Sequence, residues 1–199
     1  MNMSWLFKFT ALLILSSLCG CAGQRMPQTR MSAMAETDIC RIAIMPFENR
    51  TRDDRAATMA YRVLMAELIG SGQLEVEPEG DVGLFRLRHR LFPGERLLPD
   101  QYADLARQMK VDAIVRGRIT DIGYDSSRGE RDIPYIALQL DLFDVRRGHP
   151  VLNTIHRRYG DEYRKMMHFG VITTTTGLMA RMSQEIIADW SEKGVGNCP

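Results

Sequence analysis

The chain has 199 residues, 45% of them apolar, enough for one domain with a sizeable core once an apolar N-terminal segment is set aside. Twenty-six Lys and Arg stand against 25 Asp and Glu, a formal charge of +1 that gives no global attraction to nucleic acid. Arginines scattered among carboxylates read as a solvated surface.

Lys8 precedes an apolar run from Phe9 to Leu18, about ten residues where a membrane-spanning helix needs roughly twenty. A basic start, a short apolar stretch and then small residues is the build of a secretory signal, so residues 1–20 are left out of the fold. The stretch Leu18-Cys19-Gly20-Cys21 resembles the lipobox of bacterial lipoproteins. That resemblance implies cleavage after Gly20, diacylglycerol on the Cys21 thiol and a fatty acyl group such as palmitate on the new amine. Cys19 leaves with the signal. Each buried methylene contributes about 0.8 kcal/mol, so several chains anchor the protein permanently. The alternative is an uncleaved apolar helix with incidental cysteines. Ala22, rather than Asp, after Cys21 implies sorting to the inner leaflet of the outer membrane, facing the periplasm. In that oxidising space Cys40 and Cys198 can form a disulfide closing nearly the whole domain, with two free thiols as the alternative.

Residues 21–38 are polar, aperiodic and carry Pro27, and read as a flexible tether. The α/β domain is expected over 39–194, followed by a tail, 195–199. Ile42 to Met45 form a continuous apolar run, as in a strand covered on both faces, and Pro46 ends it. Thr51 to Asp54 has capping-box spacing, and Ala60, Leu64 and Leu68 follow at helical spacing before Gly70 and Gly72. A short strand around Glu75, two helical segments (residues 81–95 and 97–110) and a strand from Val111 come next. Ile136, Leu138, Leu140 and Leu142 alternate with polar neighbours, and Arg147 to Pro150 turns the chain into another strand, so this is an antiparallel hairpin. Leu178, Met182, Ile186 and Trp190 mark the last helix. The order β-α-β-α-α-β-β-β-α predicts a mixed five-stranded sheet with a parallel core, a C-terminal antiparallel hairpin and helices packed on it.

The segments IAIMPFEN, VDAIVRGRIT and the hairpin ending in FDVRRG resemble a group of bacterial envelope domains. It comprises the curli-secretion channel lipoprotein, the lipoprotein activator of a class A penicillin-binding protein, flagellar outer-membrane lipoproteins and the N-terminal domain of TolB. The resemblance covers about residues 40–192. It implies an α/β fold and leaves activity open.

The motifs of serine hydrolases, zinc proteases, P-loop and dinucleotide enzymes are absent from the sequence, and no cofactor or metal is expected. His89, His149, His156 and His168 lie far apart and read as surface or turn residues. Met166-Met167-His168 reads as core filling rather than a soft-metal site. Glu48 with Asp53 and Asp54 reads as negative charge near a helix start rather than an acid–base pair. Arg86, Arg88 and Arg90, interleaved with Phe85, Leu87 and Leu91, form the most concentrated basic-amphipathic stretch and the candidate contact for lipid headgroups or an acidic partner. Candidate inserts at 126–132 and 164–177 are too short for a membrane hairpin, so no channel is expected. The reading is a non-enzymatic envelope lipoprotein, held by its lipid, that binds another envelope protein in cell-wall synthesis, secretion or flagellar assembly. Alternatives are a small-ligand-binding domain using loop 46–54 and an oligomeric secretion component.

Overall fold

The computed structural model describes residues 27–32, 39–128, 131–165 and 169–196. Cys19, Cys21, Cys198 and Met166-Met167-His168 lie outside them. Strand β1 is Gln28–Met31, β2 Arg41–Ile44 and β3 Glu48–Asn49, followed by helix α1, Ala56–Ser71. Strand β4 (Glu75–Val76) leads to helices α2 (Glu79–His89) and α3 (Pro99–Met109). Strands β5 (Ala113–Asp125), β6 (Ile133–Asp144) and β7 (His149–Tyr159) precede helix α4, Thr175–Glu192.

The sheet runs β1-β7-β6-β5-β2-β4, with β3 also on β5. Strands β4, β2 and β5 are parallel, and β5, β6, β7 and β1 are antiparallel. The expected mixed α/β sheet with its parallel core and C-terminal hairpin is therefore present, with seven strands in place of five. The two extra strands escape pattern reading for physical reasons. Strand β3 is two residues that resume pairing with β5 after Pro46 interrupts β2. Strand β1 lies in the segment expected to be tether, and QTRM has no apolar alternation. Main-chain pairing to β7 holds it, and the Thr29 and Thr154 hydroxyls meet at 2.8 Å.

Helices α1 and α4 cover one face, burying Leu64, Leu68, Leu178, Met182, Ile186 and Trp190 against β2, β5 and β6. Helices α2 and α3 cover the other face only at its parallel end, where Phe85, Leu105 and Met109 pack on Ala43, Met45 and Ile114. On the α1 side of the sheet Gly117 leaves room for Phe47, which follows β2: an added Cβ would lie 2.4 Å from the Phe47 ring.

Two further expectations are corrected. Thr51–Asp54 does not cap α1, which starts at Ala56 with no side-chain cap on Arg55. Instead the Thr51 hydroxyl donates to Asn49 Oδ1 and accepts from the Asp53 N–H, so the loop satisfies itself. The tail is also partly core: Val195 is buried, and the Gly196 N–H donates to the Ile39 carbonyl at 3.1 Å. Cys40, next to Ile39, is disulfide-bonded.

Candidate interaction surfaces

Helix α2 buries Val82 and Phe85 and turns the intervening residues outward. Of nine large apolar side chains exposed among the described residues, four fall between residues 84 and 98: Leu84 (61%), Leu87 (77%), Phe92 (76%) and Leu98 (59%). Leu84, Leu87 and Arg88 share a helical face by their i, i+3, i+4 spacing. The Arg88 guanidinium donates to Gln108 Oε1 of α3 at 2.5 Å, and Arg86 donates to the Leu91 carbonyl at 3.1 Å. The three predicted basic residues therefore do not stand alike: Arg86 is half-buried and caps its own helix end, whereas Arg88 and Arg90 are exposed. Arg90 takes a left-handed backbone (φ 54°), a conformation glycine usually supplies, and the turn closes through the Leu91 N–H to the Arg86 carbonyl at 3.0 Å. What periodicity missed is that the exposed apolar residues, rather than the arginines alone, distinguish this face.

Loop 46–54 borders a small cavity of ≈ 60 Å³ through Glu48. Phe47 points into the core, and Asn49 is tied to Thr51 and Asp53. Glu48 lies on the other side of the sheet, 2.6 Å from Arg118 and 2.5 Å from Arg50. Burial raises the Glu48 carboxyl, but hydrogen bonds and charge from the two guanidinium groups outweigh it and hold the group below its ordinary range. Glu48 is thus an ion-paired strut and is not brought together with Asp53 and Asp54.

Sequence reasoning placed every histidine at the surface or in a turn, and His156 overturns that. It is 3% exposed, on the face of β7 turned toward α4. Its Nε2 lies 2.7 Å from Glu185 Oε2, which also accepts from Arg158 Nε at 3.0 Å. Arg158 reaches Glu162 at 3.3 Å, and above this set the Trp190 indole N–H donates to Thr154 Oγ1 at 2.8 Å. Burial pushes the Glu185 carboxyl up, but the His156 and Arg158 hydrogen bonds more than offset it and leave the group below its ordinary range. A histidine, a carboxylate and an arginine are catalytic residue types. Here the three side chains are sealed between β7 and α4, where no substrate reaches them, so they cement a helix to a sheet. The signal available in the sequence was the alternation Thr154, His156, Arg158 continuing from Leu152 on the inward side.

No family model matches the chain, and no curated protein matches it. Solved structures do, and they define an α/β fold class shared across bacterial proteins. PelC from Paraburkholderia phytofirmans, a dodecamer, is 15% identical over 80% of this chain and 96% of that one, with a TM-score of 0.52. Lipoprotein GNA1162 from Neisseria meningitidis is 13% identical over 77% of this chain and 99% of that one, at 0.53. The hypothetical protein CT253 from Chlamydia trachomatis is 14% identical over 76% and 95%, at 0.51. At these identities the likeness is one of fold. One of the three is itself a lipoprotein, in keeping with the group that the sequence motifs resemble.

Proposed function

We propose that the protein is a non-enzymatic lipoprotein of the bacterial cell envelope, anchored by lipid on Cys21 in the inner leaflet of the outer membrane and facing the periplasm. Its domain binds another envelope protein, in cell-wall synthesis, secretion or flagellar assembly. The observation that carries this reading is the concentration of exposed apolar side chains, with arginines among them, between residues 84 and 98, since exposed apolar surface on a folded domain marks contact sites. Two features support the anchoring. The lipobox-like stretch ends at Cys21, and with β1 starting at Gln28 only residues 22–27 lie between, a reach of at most roughly 25 Å. The anchor then holds the domain close to the bilayer and limits which surfaces face a partner. Cys198 is the partner we assign to Cys40, because the main-chain bond from Gly196 to Ile39 brings the two ends of the domain together.

The test is the double variant Leu87→Asp, Phe92→Asp. It should melt with the parent protein, remain in the membrane fraction and lose the envelope protein that co-purifies with the parent after crosslinking. Retention of that same partner would overturn the reading. For the anchor, Cys21→Ser should release the protein or leave it unprocessed, and continued lipid labelling would contradict the assignment. A ring-forming secretion component is the second reading, favoured by the dodecameric PelC having this fold. Native mass spectrometry of the lipidated protein separates a ring from a monomer.

A further inference from the structure

We propose that a trough beside α3 is the docking site for an extended acidic peptide segment of a protein partner. The trough arises where the α2–α3 layer stops: α3 forms one wall, and the open face of β5 and β6 with the β6–β7 turn forms the other. Its volume is ≈ 1000 Å³, and Arg96, Arg107, Arg116, Arg146 and Arg147 line it with no carboxylate among the lining residues. The floor is apolar: Tyr102 stacks on Phe143 with centroids 4.8 Å apart, and the Arg116 guanidinium lies 5.0 Å from the centre of the Phe143 ring.

Carboxylates stand behind the arginines and hold them in place. Asp112 is 2.6 Å from Arg146, Asp141 4.0 Å from Arg116 and Asp144 4.0 Å from Arg147, while Asp104 holds Arg107. A guanidinium has five N–H donors, and at Arg116 one of them is left over: its buried Nε donates to no acceptor. A buried donor of this kind is costly unless an acceptor arrives.

The shape selects the occupant. A second, smaller cavity shares Arg96 and Arg116 with the trough and continues it along β6, where Arg118 and Gln139 are joined by the carboxylates of Glu48 and Asp141. The acidic residues of the peptide therefore belong in the trough itself and a neutral or polar one at this end. Pro150 pairs with Phe143, four residues from Gln139 along β6, so the path is roughly 13 Å at the rise of a strand, the length of about four extended residues. Carboxylates match the planar forks of arginine, and an apolar side chain between them would rest on Tyr102 and Phe143. A bilayer surface is flat and does not reach Arg116 at the floor of a concave site. The inference rests on the reading of the chain as a protein-binding module but uses residues distinct from Leu87 and Phe92.

The mature lipidated protein in nanodiscs, titrated into a fluorescein-labelled peptide of alternating Glu and Leu, gives the test by anisotropy. Binding should weaken about tenfold or more with Arg96→Glu and, independently, with Ala103→Trp, which narrows the trough without changing charge. Both positions are exposed, so thermal melts should match the parent. The Lys–Leu counterpart should not bind, and affinity should be the same in neutral and anionic nanodiscs. Peptide binding untouched by both variants would overturn the proposal. So would displacement of the peptide by equimolar inorganic phosphate, which marks a simple anion site, or binding that requires anionic lipid. Such a failure leaves the Leu87 and Phe92 result standing, and the converse also holds.

Discussion

At the parallel end of the sheet β2 is covered twice, by α1 on one face and by α2 and α3 on the other, and its residues Ile42, Ala43 and Ile44 are all buried. At the antiparallel end only the α4 side is covered, and the other face of β6 presents Tyr135, Ala137, Gln139 and Asp141. The same sheet is therefore sealed at one end and half open at the other. Room for a partner is thus unlike at the two ends. The doubly covered end has no surface of the sheet left, so what it offers a partner is the outer side of α2. The half-open end offers the sheet itself, with arginines and tyrosines in place of helices.

The covered side of the antiparallel end should be the costliest to disturb. Trp190→Ala removes a fully buried indole and its bond to Thr154, and should lower stability by about 3–5 kcal/mol in denaturant melts. A loss below 1 kcal/mol would mean that α4 is not the cover described. Glu185→Gln comes next, because it leaves Arg158, 2% exposed, with Glu162 at 3.3 Å as its one remaining ion-pair partner among the described residues, and a cost of about 2–3 kcal/mol is expected.

The same carboxyl sets a pH dependence. Its pKa is lowered in the fold, so its stabilisation is full above the ordinary carboxylate range and is lost as pH falls through the folded pKa. Melting temperature should therefore drop on acidification, more steeply in the parent than in Glu185→Gln. Equal slopes would assign the acid sensitivity to other groups, Glu48 among them.

Gly117→Ala tests the packing of Phe47 on β5, and forcing a Cβ against its ring should cost about 1–3 kcal/mol, read in the same melts. The smallest effect belongs to the open face. Arg157→Ala removes an exposed ion pair with Asp121 at 3.4 Å and should change stability by less than about 1 kcal/mol. A large effect there would show that this face is covered after all.

Sequence patterns were most legible where water contact was simplest. The alternation of Ile136 to Leu142 and the i, i+4 ladder from Leu178 to Trp190 each mark a surface with one wet and one dry side, and both lie where expected. Strand β1 was illegible because an edge strand of QTRM is held by main-chain pairing, which leaves no hydrophobic trace. His156 was misread because β7 inverts the usual rule: its inward side carries Thr154, His156 and Arg158, while Ile155 faces out. Of the candidate contact surface, the arginines of α2 were visible as a charge run, whereas the exposure of Leu87 and Phe92 depends on how the helix is seated. The trough draws residues from α3, β5, β6 and the β6–β7 turn, so only the fold assembles it.

Whether the α2 side binds an envelope protein is decided by site-specific photocrosslinking in living cells, with the probe placed at Leu87, at Phe92 and, as a reference on helix α4, at Glu192. One discrete protein adduct should form from both positions 87 and 92 and none from 192. Adducts of equal intensity from all three, or from 192 alone, would contradict it.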